Sequence, residues 1–378
     1  MKKLLISIIK LIKRIQKAMH RKPVILIYSL STTMDEHVFL YYNAVKNQNY
    51  KFRFIFWNCG KIDKTKYKKF NLDKHLIIKN KFAYLLSNPD LIVTADLFVK
   101  YLKIFPTKTL YLNHGASTIC WNNNQNTCYS YHPEKPIFDI YFETSKLIYE
   151  NKNEILNYSD KIVFAGNKHS DKFAELINQQ EHFKKQLGIN LRQKTIFIVG
   201  SWNKHSLFHK LGKNLLSEIK RLAQNESLKF IVSIHPKEYE NYDENIEPLG
   251  KFIDELENYN VIVRKPGSDM MPYLIASDLI ISDFTAMTDN AIMAEKDIIY
   301  SDFDTSNLYK YSSVYRLKNT LPTISNPFDL EKFVLMNYPK KYKKEILKIK
   351  EEMTTPNGFY TNLCINTTKN LLNKSKAK

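Results

Sequence analysis

The sequence predicts a two-domain α/β protein, each domain organised on a mostly parallel sheet. Three observations carry this. At 378 residues the chain is too long for one ordinary core and fits two domains. Short apolar runs alternate with polar, helix-compatible stretches, the order of repeated strand–helix units. A polar stretch at 178–193 divides these runs into two series.

The first series places strands at 24–28, 52–57, 75–78, 91–94, 109–113, 138–142 and 161–164, with 75–78 the weakest. The second places them at 195–199, 230–234, 261–263, 279–282 and 297–300. The expected organisation is an N-terminal segment 1–22, a first domain 23–185, a second domain 186–338 and a Lys-rich helical tail 339–378.

In the N-terminal segment Leu4, Leu5, Ile8, Leu11, Ile12, Ile15 and Met19 recur at helical spacing among Lys3, Lys10, Lys13, Arg14, Lys17 and Arg21. Lys10 and Lys13 interrupt the apolar run, which falls short of the roughly 20 apolar residues a bilayer span needs. A signal peptide would need an uninterrupted apolar core and a small-residue cleavage site. The pattern suits a basic amphipathic helix in the lipid interface, the alternative being a surface helix packed on the protein.

Composition narrows the classes further. Hydrophobic residues make up 44% and charged residues 25%, which excludes a disordered or collagen-like chain. The net charge of +19 has two readings, solvating lysines or attraction to anionic lipid, phosphate polymer or nucleotide. The four cysteines, Cys59, Cys120, Cys128 and Cys364, form no CxxC pair, so reduced thiols and a cytoplasmic location are expected. No helix-turn-helix or aromatic–basic RNA-binding signature is present, so nucleic acid is not an expected partner.

Parallel α/β sheets bind ligands beyond the carboxyl ends of their strands. Four strand ends here carry suitable residues. His114 and Gly115 follow one; a histidine can exchange a proton near neutral pH, and glycine admits close approach to the backbone. A loop histidine with a structural hydrogen bond would look the same. His235-Pro236-Lys237 follows another, with Pro236 suited to open a helix whose N-terminus attracts an anion. Ser282-Asp283-Phe284-Thr285-Ala286, then Asp289, follows a third; its hydroxyls and amides suit a diphosphate, or simply cap a helix. Gly200-Ser201-Trp202 follows the fourth, where Trp202 borders a base or sugar or else sits in the core.

Taken together these motifs resemble the CDP-glycerol glycerophosphotransferase family, the teichoic-acid primases, polymerases and their capsule relatives. The segment SDLIISDFTAMTDNAIMAEKDIIYSDFD resembles the family's C-terminal signature, with Asp278, Asp283, Phe284, Asp289, Lys296, Tyr300 and Asp304 in register, Ser282 in place of a threonine and Asp283-Phe284-Thr285-Ala286 in place of DYSS. IHPKE resembles its HP motif and NHGAS its WHGT motif, in matching order over about residues 109–304. There are departures. Asn113 stands for the tryptophan before HG, Asp297 for a proline, and Ser201-Trp202-Asn203 for TWR. The stretch Gly166-Asn167-Lys168-His169-Ser170-Asp171 lacks the family's arginine, leaving Lys168, His169, Lys204 or His205 as substitute cations.

The resemblance implies a GT-B-type fold, two Rossmann-like domains facing across a cleft, with the CDP-linked donor on the second and the acceptor on the first. It implies His114 as the base and His235 as a phosphate ligand in catalysis. Lys237, Ser282, Asp283, Thr285, Ala286 and Asp289 fall beside the donor diphosphate, and Gly115, Ser201 and Trp202 near nucleotide or acceptor. The implied reaction transfers a polyol phosphate to a surface-polymer or lipid-linked hydroxyl with release of CMP, at the inner face of the cell membrane. No metal cage is recognisable, and Mg2+ is expected only in company with the donor. Two other readings stand beside it: a GT-B glycosyltransferase using a nucleotide sugar, and a non-enzymatic binder of anionic polymers.

Overall fold

A computed structural model describes residues 22–29, 35–56, 76–78, 89–95, 107–113, 137–155, 158–202, 204–239, 246–266, 268–305, 308 and 310–374. The expected amphipathic helix at 1–22 lies outside the described residues, apart from Lys22. None of the described helices is long and apolar enough to cross a membrane.

The first sheet comprises β1 (Val24–Ser29), β2 (Lys51–Phe56), β3 (Leu76–Ile78), β4 (Leu91–Thr94), β5 (Lys108–Tyr111), β6 (Ile140–Glu143) and β7 (Ile162–Phe164). All its pairings are parallel, in the order β3-β2-β1-β4-β5-β6-β7. The second comprises β8 (Lys194–Val199), β9 (Leu228–Ser233), β10 (Ile262–Val263), β11 (Leu279–Ser282), β12 (Asp297–Ser301) and β13 (Thr323–Ile324). It too is parallel, in the order β10-β9-β8-β11-β12-β13.

Both sheets therefore start at a central strand, build outward to one side, then return and build to the other. This is the Rossmann order. It opens a crevice where the direction reverses, beside β1 and β4 in one sheet and beside β8 and β11 in the other.

The second sheet is covered on both faces, which is why its strands read as unbroken apolar runs. Phe197, Ile231, Ile280 and Ile298 point into one core, with Phe173, Phe183 and the helix Lys340–Met353 packed over them. Ile196, Ile198, Val232 and Ile281 point into the other, under the helix Leu207–Leu222. In the first sheet Ile25, Ile27, Phe54 and Val93 pack on the helix Asp35–Val45 and on the C-terminal helix Phe359–Lys374.

Two boundaries differ from expectation. The second compact unit runs His169–Thr354, so the division falls at residue 168 rather than 185. Phe173 and Phe183 explain this, because they belong to the second core. The tail expected at 339–378 is not one element: Lys340–Met353 packs on the second unit, while the described residues from Thr355 to Lys374 belong to the first. There Tyr360, Cys364, Leu371 and Leu372 are buried, and Tyr41 Oη shares a 2.7 Å hydrogen bond with Thr368 Oγ1.

Candidate functional site

The carboxyl ends of β9, β8 and β11 lie side by side, and the segments leaving them carry the expected site residues of the second domain. Asp283 organises this edge. Its side chain is fully buried and accepts three backbone N–H groups: Ser201 at 2.9 Å, Leu207 at 2.8 Å and Thr285 at 3.0 Å. Burial pushes its carboxyl up to about 6, while those amides favour the charged form. Gly200 precedes the clasped segment. A Cβ there would meet Phe208 at 2.7 Å, so only glycine lets the chain pass over that ring.

His235, Lys237 and Trp202 come together at this edge. The Lys237 N–H donates to His235 Nδ1 at 3.2 Å, so the ring proton resides on Nε2. The Trp202 and His235 rings lie 6.1 Å apart, and the Lys237 ammonium sits 3.5 Å from the Trp202 ring centre. Burial first, and the neighbouring Lys237 charge second, push the His235 pKa down to about 4, against a smaller opposing pull from Glu238. At neutral pH His235 is thus an uncharged Nε2–H donor beside a cation. The loop is backed by Glu238, buried and 2.9 Å from His209 Nε2, a pair the sequence reading missed.

Several expectations need correction. Pro236 opens a four-residue 3-10 turn, Pro236–Tyr239, not an α-helix, so no helix dipole aids an anion there. The helix after Asp283 is the seven-residue Met287–Met293, and its leading amides already have acceptors. Thr285 N donates to Asp283, Met287 N to Thr285 Oγ1 at 3.5 Å, and Thr288 N to the Thr285 carbonyl. Ser282, Asp283 and Asp289 are wholly buried, and Asp289 Oδ1 accepts from Ser313 Oγ at 3.1 Å. They build the edge from within and do not line it. Ser201, Trp202, Lys237, Thr285 and Ala286 remain partly accessible.

The signature motif divides between the two ends of the sheet. Asp278 precedes β11 and accepts from Gln180 Nε2 at 2.7 Å, Lys184 Nζ at 2.9 Å and Thr195 N at 2.7 Å. Lys296 precedes β12, and its buried ammonium donates to the Ile275 carbonyl at 2.8 Å. Both serve the amino edge, opposite the carboxyl edge that carries His235 and Lys237. Of the substitute cations, His169 is buried against Phe173, while Lys204 and His205 are exposed. Arg264, directly after β10, went unnoticed in the sequence. Its guanidinium reaches Ser233 Oγ at 3.2 Å and the Ser268 carbonyl, at the same carboxyl edge.

In the first domain His114 and Gly115 lie outside the described residues. Asn113 just before them is described, buried and left-handed at φ 59°, and its carbonyl accepts from Lys168 Nζ at 3.4 Å.

No protein-family model matches the chain, and no curated protein matches it. Solved structures do. The wall teichoic acid polymerase TagF, in a structure soaked with CDPG, aligns at TM-score 0.64 and 14% identity over 94% of this chain and 90% of that one. MnaA of S. aureus in a co-structure with UDP aligns at TM-score 0.62 and 13% identity, covering 93% and 97%. UDP-GlcNAc 2-epimerase from Neisseria meningitidis, bound to UDP-GlcNAc, aligns at TM-score 0.53 and 15% identity, covering 94% and 100%. At such identities the likeness establishes the fold: two Rossmann-like domains of GT-B type.

Proposed function

We propose that this protein is a GT-B-type transferase that moves a polyol phosphate from a CDP-linked donor to a hydroxyl of a cell-surface polymer, working at the membrane surface. The observation that carries the reading is the cluster of a neutral His235, the Lys237 ammonium and the Trp202 ring at the carboxyl edge of the second domain. An Nε2–H donor and an ammonium suit phosphoryl oxygens, and an indole face suits a base or sugar.

In the proposed reaction an acceptor oxygen attacks the β-phosphorus of the donor. The new P–O bond forms as the bond to CMP breaks, and the acceptor proton passes to a base. Charge spreads over the phosphoryl oxygens, so the site's task is to position and stabilise rather than to bond covalently. His235 and Lys237 do this at the phosphates. His114 takes the proton, a contribution of roughly 10²–10⁴-fold for general base catalysis. Asp283 acts at one remove by holding the Ser201 and Thr285 amides in place. Among the described residues Asp283 and Asp289 are buried and hydrogen-bonded, and no group of three candidate metal ligands lies together. No step is assigned to Mg2+.

The test is a donor panel. Purified protein is incubated with CDP-glycerol, CDP-ribitol and a set of UDP- and CMP-sugars, with a glycerol-phosphate oligomer as acceptor. CMP release confined to the CDP-polyols is expected. Release of a nucleotide from the sugars alone would replace this reading with a glycosyltransferase, and no turnover or binding of any nucleotide would favour a non-enzymatic polymer binder.

A further inference from the structure

We infer that Asn113 in the first domain is a ligand-binding residue whose carboxamide grips the hydroxyls of a polyol or sugar. It rests on the proposed transfer reaction only in calling that ligand the acceptor.

Asn113 lies two residues past β5, at the carboxyl edge of the first sheet, where parallel α/β sheets take ligands. It is 2% exposed, and both Oδ1 and Nδ2 are buried without a hydrogen-bond partner among the described residues. Native proteins rarely leave a buried carboxamide wholly unsatisfied.

The backbone sharpens the point. Three non-glycine residues among those described have positive φ: Asn113, Asn260 and Glu295. Side-chain bonds accompany the strain in two of them. Asn260 Oδ1 is held by Lys229 Nζ, and Glu295 Oε1 by Lys350 Nζ at 2.6 Å. In Asn113 the main chain is anchored instead, its carbonyl receiving Lys168 Nζ, and the side chain is left over. Asparagine enters the left-handed region more readily than most residues, so the observation that counts is the anchored main chain with the side-chain carboxamide left over.

The chemistry of the missing partner follows from which atoms lack one. A carboxamide offers two donors on nitrogen and two acceptor sites on oxygen. An anion would satisfy Nδ2 alone, and a cation Oδ1 alone. A hydroxyl both donates and accepts, so a pair of hydroxyls completes both atoms at once. The same chain places His114, the proposed proton acceptor, directly after Asn113.

Asn113→Gly separates the readings, because glycine adopts φ 59° without strain and loses only the carboxamide. Binding of a glycerol-phosphate oligomer to the full chain is followed by saturation-transfer NMR, with inorganic phosphate as the anion control and CDP-glycerol titrated separately. The expected result is a tenfold or greater loss of oligomer affinity in Asn113→Gly, with an unchanged or raised Tm and unchanged CDP-glycerol affinity. Asn113→Asp, which keeps the shape but replaces the Nδ2 donor with an oxygen, should also bind the oligomer more weakly, with a lowered Tm because it buries an unpaired carboxyl. Equal oligomer binding by wild type and Asn113→Gly overturns the inference and leaves Asn113 holding a buried water only. Displacement of the oligomer by inorganic phosphate alone overturns it as well, since an anion would then suffice. If CDP-glycerol fails to bind while oligomer binding still depends on Asn113, the inference stands and the proposed donor falls.

Discussion

The two domains share one strand order and differ in how their carboxyl edges are completed. In the second, carboxylates are the organisers: Asp283 takes three amides, Glu238 takes His209 and Asp289 takes the Ser313 hydroxyl, while the small hydroxyls of Ser206 and Ser282 stay buried without a partner among the described residues. The first leaves the Asn113 carboxamide waiting. Their interiors differ as well. The second core is chiefly aliphatic, with Ile196, Ile198, Val232, Ile281 and Ile299 on one face, whereas the first relies on rings such as Tyr41, Tyr42, Phe52, Phe54, Phe142 and Tyr360. Topology sets which edge can receive a ligand. Side chains decide whether that edge is finished before the ligand arrives.

The comparison breaks most readily at Asp283. Asp283→Ala strands the buried Leu207 amide and the half-buried Ser201 and Thr285 amides and should cost the second domain about 3 kcal/mol, since each unsatisfied buried group costs about 1–3 kcal/mol. Hydrogen exchange should accelerate in β8 and β11 while β1 and β4 keep their rates. Unchanged exchange at β8 would mean that the clasp is not what holds this edge.

A smaller effect distinguishes the edges by pH. His235 is pushed from its ordinary value near 6.5 down to about 4. Between those values the unfolded chain takes up a proton that the folded one refuses, so His235 makes the second domain less stable as pH falls from 6.5 to 4. Asp283, raised to about 6, works in the opposite direction over part of that window, so the comparison must be made between variants. Urea midpoints from pH 7 down to 4 should fall less steeply in His235→Gln than in wild type. Parallel curves would show that His235 titrates normally.

The smallest effect belongs to the first domain. Tyr41→Phe removes the hydroxyl that meets Thr368 and should cost about 1 kcal/mol, confined to the first domain's unfolding transition. A loss shared by both transitions would contradict the separateness of the two cores.

Much of the fold was legible because the sheets are buried on both faces. The runs TIFIV, FIVSI and LII could be read as strands without any periodicity to arbitrate. The two-residue β13 left too short a run to notice. The domain boundary was misplaced because Phe173 and Phe183 announce a buried helix face but not which core receives it. The site was legible as a set of strand ends, not as roles. Asp278 and Asp283 belong to one motif, yet one stands before β11 and the other after it, and that position alone assigns them to opposite edges. The helix after Asp283 suggested free amides; a count of nearby acceptors, Asp283 and Thr285 among them, was the missing argument.

The return of the C-terminal helix to the first domain has a consequence for synthesis. Tyr41 meets Thr368 across 327 residues of chain. The first domain therefore leaves the ribosome early but cannot close its core until residues 359–374 follow. Meanwhile the second unit, His169–Thr354, is contiguous across its described residues and has every piece of its own core in hand. At about 5–20 residues per second, the part of the first core that the C-terminal helix covers stands open for on the order of ten to forty seconds. The domain made first is thus the one completed last, and that interval is when a chaperone would have most to hold.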